Sequence, residues 1–164
     1  MNRKTVRKLF FVWEFEKEER WLNEMAAQGW VLESVGFCTY RFVECQPGEY
    51  IIRLEMRGHD SGYLDFLSEM GVEYIGRCFQ WIFLKKPAAD GPFDLFSDID
   101  SRASHLRRIE QSLLLIGIAN LLIGLAGWQH LGWINLLCAN LLMYAYGRIR
   151  GRREQLDEER LLHE

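Results

Sequence analysis

Glu14, Glu16, Glu18 and Glu19 form the densest set of groups in this sequence able to do chemistry. Paired carboxylates run acid–base reactions when their surroundings drive their pKa values apart. Here they fall where a strand is expected to end and a helix to begin, and acids also favour the positive end of a helix dipole. Capping and solvation are therefore the preferred reading. No nucleophile-elbow, HExxH, phosphate-loop or dinucleotide glycine pattern accompanies them. Ser and His show no triad-like spacing. Cys38, Cys45, Cys78 and Cys138 lack CxxC spacing, and His59, His105, His130 and His163 are scattered, so no metal site is expected. Four unpaired thiols point to a reducing compartment. The chain reads as a binding protein without catalytic residues or cofactor rather than as an enzyme.

Recognition chemistry is more visible. Trp13, Trp21, Trp30, Tyr40 and Trp81, with Phe37 and Phe79, concentrate aromatic surface in the first half. They are the candidate partner or ligand face, with plain core packing as the alternative. Trp21, behind Glu18, Glu19 and Arg20 near a helix start, is the best placed to escape the core.

The elements that position them follow a repeat. Residues 8–13 read as a buried strand, 16–28 as a helix closed by Gly29, and 30–35 and 37–43 as strands hinged at Gly36. The pattern returns 42 residues later: Leu9-Phe10 aligns with Ile51-Ile52, Val12 with Leu54, Trp21-Leu22-Asn23 with Tyr63-Leu64-Asp65, Gly29 with Gly71, and Phe37 with Phe79. The second unit is expected to have strand 50–55, helix 62–70, and strands 73–76 and 79–85. Two tandem βαββ units predict an α+β fold with an antiparallel, ferredoxin-like sheet and both helices on one face. The head is expected over 1–86 and a Pro/Gly-broken linker over 87–97. Phe93, Leu95 and Phe96 are left to pack on the head or at a membrane surface.

Beyond Ser97, a natural N-cap, a helix is expected to run on into 37 residues, Gln111 to Gly147, that contain no Asp, Glu, Lys or Arg. One helix of that length would be about 55 Å long, against a hydrocarbon core of about 30 Å. Gly127-Trp128-Gln129-His130-Leu131-Gly132-Trp133 marks the break. The reading is a transmembrane hairpin over 98–148, with spans at about 106–128 and 133–148, the second short enough to need bilayer thinning or a partner helix. Arg102, Arg107 and Arg108 precede it, and Arg148, Arg150, Arg152 and Arg153 follow. Both termini are therefore expected in the cytoplasm of a multi-pass cell-membrane protein. Arg107, Arg108, Arg148, Arg150, Arg152 and Arg153 are expected to meet anionic lipid headgroups. Gly117, Asn120 and Gly124 form a small-residue stripe for close packing, and Asn120 and Asn140 lie at matching depth for a bond across the hairpin. The tail, 149–164, reads as a solvated helix, with partner docking as the lesser option. The head is acidic, which argues against direct nucleic-acid binding. No cleavable signal is expected, because the apolar run from Leu9 to Trp13 is too short for a signal core.

The run from Phe10-Phe11-Val12-Trp13-Glu14 through Trp21-Leu22-Asn23-Glu24-Met25-Ala26-Ala27-Gln28-Gly29-Trp30 resembles the opening of a bacterial family catalogued as domain of unknown function 2812. Pro47-Gly48-Glu49-Tyr50 and Phe93-Asp94-Leu95-Phe96-Ser97-Asp98 resemble later patches of it, so the likeness covers about 6–110. The resemblance implies no catalytic residue. It implies a membrane-anchored sensory or regulatory module working beside a PadR-like transcriptional regulator or other protein partner. An accessory subunit of a transporter is the alternative, an envelope enzyme comes last, and homo-oligomerisation stays open.

Overall fold

The computed structural model describes residues 2–58, 60–96, 99–127 and 132–163. The chain forms two compact units, Met1–Leu95 and Phe96–Glu164.

The first unit, the head, contains β1 (Arg3–Arg7), α1 (Phe15–Ala27), β2 (Trp30–Gly36) and β3 (Thr39–Glu44), then β4 (Tyr50–Met56), α2 (Ser61–Glu69), β5 (Glu73–Cys78) and β6 (Trp81–Pro87). Each half is a three-stranded antiparallel sheet, ordered β1-β3-β2 and β4-β6-β5. The βαββ repeat therefore stands as topology. Finer matches support it. Gly29 and Gly71, 42 residues apart, follow α1 and α2 with φ of 85° and 77°, a left-handed conformation glycine adopts without steric cost. β2 slips in register between Leu32 and Ser34, and β5 slips between Tyr74 and Gly76, again 42 apart.

Those paired bulges accompany a correction. The expected single ferredoxin-like sheet is not formed; there are two sheets. β2 and β5 are edge strands, and a bulge kinks a strand and disrupts further pairing. The edges pack without joining one ladder: a Cβ on Gly76 would lie 3.4 Å from Val35 Cγ1.

The first strand is also corrected. Residues 8–13 are not a strand; β1 is Arg3–Arg7, and Val12–Glu14 is a turn of 3-10 helix. A five-residue apolar run does not distinguish a strand from a packed loop, and cationic residues suit an exposed edge strand. The registers show what changed. Arg7 faces Thr39, and Met56 faces Trp81. Thr39 and Trp81 keep the 42-residue period, whereas Arg7 and Met56 are 49 apart. The first repeat thus carries a seven-residue insertion before α1, and the expected equivalence of Leu9-Phe10 and Val12 with Ile51-Ile52 and Leu54 is lost.

The repeats are locked by α1. Leu22, Met25 and Ala26 are buried with Val31, Leu32, Phe42, Ile52, Leu54 and Phe83 in one core drawn from both. β4 is an edge strand, and α1 satisfies its free backbone. Asn23 donates to the Ile52 carbonyl and accepts from the Ile52 N–H, both at 2.9 Å, and Glu19 accepts from the Leu54 N–H at 2.9 Å. The match is geometric. Residues four apart on a helix are separated by about 6 Å, close to the roughly 6.6 Å between alternate residues on a strand. A second cluster, Leu67, Val72, Ile82, Leu84 and Phe93, with Leu95 against it, carries the head past residue 86. Phe93 and Leu95 pack on the head, and most of the expected linker belongs to it.

The second unit is α3 (Ile99–Ala126) and α4 (Gly132–His163), antiparallel neighbours. Phe96 stacks on His105 within this unit at 4.6 Å. The expected N-cap Ser97, the following Asp98, and Trp128 to Leu131 with His130 lie outside the described residues. Gly132 N–H donates to the Gly127 carbonyl at 3.1 Å, so the glycines flanking the expected turn are brought together. Leu106, Ile109, Leu113, Gly117 and Gly124 of α3 are buried, as are Ala139, Ala145 and Ile149 of α4. The three-and-four spacing along α3 is that of paired helices.

Three expectations change here. Asn120 and Asn140 do not bond to each other; each amide donates to the carbonyl four residues earlier, Ile116 and Leu136, at 2.9 Å. In-helix bonding takes up one amide proton of each. The tail is helical and largely exposed, as expected, but it is not separate: α4 continues to His163 and is paired to α3 through Arg153–Glu110 at 2.8 Å and Arg160–Asp100 at 2.9 Å. The stretch read as a span from about 106 also contains a buried ion-paired residue. Glu110 belongs to that ion-paired zone, which leaves charge-free lengths of 16 residues on each helix, 111–126 and 132–147, each about 24 Å. One helix among the described residues, Ile99–Ala126, is long and apolar enough to cross a membrane. In α4, Asn135, Asn140, Tyr144 and Tyr146 dilute the apolar run.

Gly117 and Gly124 do line the helix contact. A Cβ on Gly124 would lie 2.6 Å from Leu136 Cδ2 and 3.0 Å from the Gly132 carbonyl oxygen. On Gly117 the tightest neighbour is the flexible Met143 Cε at 3.0 Å. Gly124→Val is expected to destabilise the helix pair by about 1–3 kcal/mol through overpacking, and Gly117→Ala by less than about 1. Thermal unfolding in detergent, followed by helix content, separates the two; equal losses would refute the difference.

Candidate functional site

The head contains a cavity of about 240 Å³, and the inserted segment forms one wall. Lys8, Phe10, Phe11 and Phe15 line it from the insertion and the start of α1. Val35, Phe37, Cys38 and Tyr40 line it from the β2–β3 hairpin, and Cys78, Phe79, Trp81 and Phe83 from the β5–β6 hairpin. Both hairpin tips hold a residue in the left-handed region, Cys38 at φ 51° and Phe79 at φ 54°. That conformation costs a non-glycine residue about 1–2 kcal/mol, and such strain clusters at binding sites. The tips carry Phe37 and Phe79, 71% and 74% exposed yet edge-to-face with centroids 5.8 Å apart. Exposed rings held together at a cavity mouth are an invitation to a ligand or partner.

Glu18 is the carboxylate of this cavity. It accepts a hydrogen bond of 2.7 Å from the Tyr40 hydroxyl. Burial pushes the Glu18 carboxyl above its ordinary range, only partly offset by that bond. Burial and the neighbouring Glu18 push the Tyr40 phenol upward. Lys8 holds its ammonium over the rings of Trp21 at 4.5 Å and Phe10 at 4.8 Å, a cation–π arrangement. Burial also raises the Cys78 thiol, away from thiolate reactivity.

The four-carboxylate run divides accordingly. Glu14 behaves as expected of a cap: a hydrogen bond from Lys17, then one from the Phe11 N–H, lowers its pKa. Glu18 does lie in the first turn of α1, but it and Glu19 are partly buried rather than solvated. Glu19 is raised by burial despite the Leu54 N–H and Arg53. A sequence does not disclose which helix face meets a cavity, so this split was not legible there.

The structure places the aromatic candidates unequally. Tyr40 and Trp81 line the cavity, the latter stacked on Phe15 at 5.2 Å. Trp21 sits behind Tyr40 at 5.0 Å. Trp13 stacks on the lining residue Phe11 at 4.7 Å. Trp30 lies at the far end of β2, beneath Lys4 at 5.4 Å. Sequence reasoning missed Glu18, Lys8, Phe10 and Phe15 as cavity residues, and Asn23 and Glu19 as the β4 clamp. Among the described residues, no group of three or more His, Cys, Asp or Glu is placed to hold a metal ion.

A sequence profile described as protein of unknown function (DUF2812) matches residues 14–118. The chain belongs to this family. The match runs from the start of α1 through β6 and into α3, so the clamp and the two cavity hairpins lie inside the family domain, while β1 and most of the inserted segment precede the matched residues. No curated protein and no solved structure matches the chain.

The pH dependence of the head follows from Glu18 and Glu19. A carboxyl raised in the fold contributes stability that is full below its unfolded pKa and lost as pH rises through its folded value. Acidifying from neutrality towards about pH 4.5 is therefore expected to stabilise the head, until groups such as Glu14, with lowered pKa, reverse the trend. Glu18→Gln keeps an acceptor for Tyr40 and removes the charge, so it should raise the melting temperature at pH 7 and flatten the gain on acidification. Calorimetry of both proteins across pH 4.5–8 checks this; a wild-type profile unchanged in the variant would exclude Glu18 as the cause.

Proposed function

We propose that this protein is a membrane-anchored binding module whose head takes up a small ligand in the hairpin-tip cavity and passes that state to a protein partner. The observation that carries the reading is the aromatic cavity lined by one partly buried carboxylate, Glu18. A binding role rather than catalysis is supported by cavity chemistry in which the thiol of Cys78 is raised and a single carboxylate stands alone. The helical unit is the anchor. Leu115, Leu122, Ile123 and Leu125 of α3 and Trp133, Leu137, Leu141 and Tyr144 of α4 are each more than half exposed, an apolar belt that lipid would cover. The two-span hairpin with cytoplasmic termini is supported by arginines at one end of that belt, where α3 begins and the apolar part of α4 ends. Arg107 and Arg148 are exposed for headgroups, while Arg150 is engaged by Glu154 and Arg153 by Glu110 and Asp157.

Affinity purification from native membranes tests the reading, with the full chain compared against one lacking residues 1–96. A stable partner, such as the PadR-like regulator the family resemblance implies, should be captured by the full chain and lost with the head. Equal capture by both, or by neither, would remove the head's protein partner from the reading. The accessory-subunit reading is favoured by one observation: Asn140 is exposed on the surface of its own helix pair, available to a third helix. In that case Asn120→Leu with Asn140→Leu would abolish capture while head truncation would not.

A further inference from the structure

We infer that the head cavity is a site for an amphipathic organic amine, with the ammonium group on Glu18 and the apolar body among the rings of Phe15, Phe37, Phe79 and Trp81. This deepens the binding-module reading and rests on it. Glu18 has one partner among the described residues, the Tyr40 hydroxyl, so a carboxylate oxygen retains acceptor capacity. Tyr40 spends its only proton on that bond, which leaves it no donor for an anionic ligand. Ring faces present negative potential and hold cations, more strongly where water is excluded. The protein already displays this preference: the Lys8 ammonium lies over Phe10 and Trp21 at 4.8 and 4.5 Å. Lys8 is itself exposed, free to move aside or to swing out as an amine enters.

Size agrees with a small ligand. At roughly 30 Å³ per water, a cavity of about 240 Å³ has room for about eight waters, near the bulk of a phenylethylamine. Desolvation of Glu18 is a standing cost of the empty site, and a buried counter-charge relieves it.

The test uses the full chain in lipid nanodiscs, titrated calorimetrically with 2-phenylethylammonium, neutral 2-phenylethanol and anionic 3-phenylpropionate, with empty nanodiscs subtracted. The amine should bind and the other two should not. Glu18→Gln, shown folded by its melting curve, should weaken amine binding at least roughly 20-fold, the effect of truncating a buried charge pair. Lys8→Met should bind the amine at least as tightly as the natural chain. Binding should fall as pH drops through the raised Glu18 pKa, because the neutral acid has no charge to offer. Equal binding of phenylethanol, preference for phenylpropionate, or undiminished amine binding by folded Glu18→Gln would each overturn the inference. Partner capture in the preceding experiment is independent of these arms. Capture with no amine binding removes the ligand class alone; amine binding without capture removes the partner alone.

Discussion

Asn23→Leu is expected to destabilise the head by about 2–4 kcal/mol. The residue holds both backbone groups of Ile52, donor and acceptor, at 2.9 Å, and Ile52 is fully buried. Leucine fills the volume but bonds to neither group. Each buried backbone group left without a partner costs about 1–3 kcal/mol. Asn23→Asp separates the two halves of the effect, since it keeps the acceptor for Ile52 N–H and loses the donor, so it should fall between. Denaturant unfolding of the full chain in detergent, followed by Trp fluorescence, measures both. A loss under about 0.5 kcal/mol for Asn23→Leu would mean that β4 finds other partners and that α1 is not its clamp.

The second large effect is expected at Glu110. Its carboxylate is buried and meets Arg153 at 2.8 Å. Arg153 also pairs with Asp157 at 2.7 Å and is partly exposed. Removing one member of a buried pair costs about 3–5 kcal/mol, but Asp157 and the exposure of Arg153 retain part of it. Glu110→Ala is therefore expected to cost about 2 kcal/mol. Replacing both residues, Glu110→Leu with Arg153→Leu, should be close to neutral, because the desolvation of both charges disappears with their attraction. A double-mutant cycle on helix unfolding in detergent reads the coupling. Additive single effects would show that the pair does not join the helices.

Local signals were strong where a residue type imposes its own geometry. Gly29 and Gly71 announced two helix ends because few other residues adopt their backbone angles cheaply. The 42-residue period survived in four strands and both helices because each repeat needs the same alternation and the same turn. The charge-free stretch foretold two helices with a break at paired glycines, since a composition so uniform has few other ways to satisfy its backbone. The inserted segment misled for a physical reason. Leu9 to Trp13 carries the composition of a strand, but strand pairing is a contract with a distant partner, and β3 takes Arg3–Arg7 instead.

The linear order of residues was enough to reveal the α+β class, the duplication, the helix pair and the family. Each rests on periodicity or on steric preferences that operate over a few neighbours. Packing alone decided that the sheet is split in two, that Asn23 and Glu19 close an edge, that the asparagines of the helices bond within their own helices, and that burial dominates at Glu18 whereas hydrogen bonds dominate at Glu14, four residues away. Those outcomes depend on which surfaces meet in space, and residues far apart along the chain leave no local trace of where they will touch.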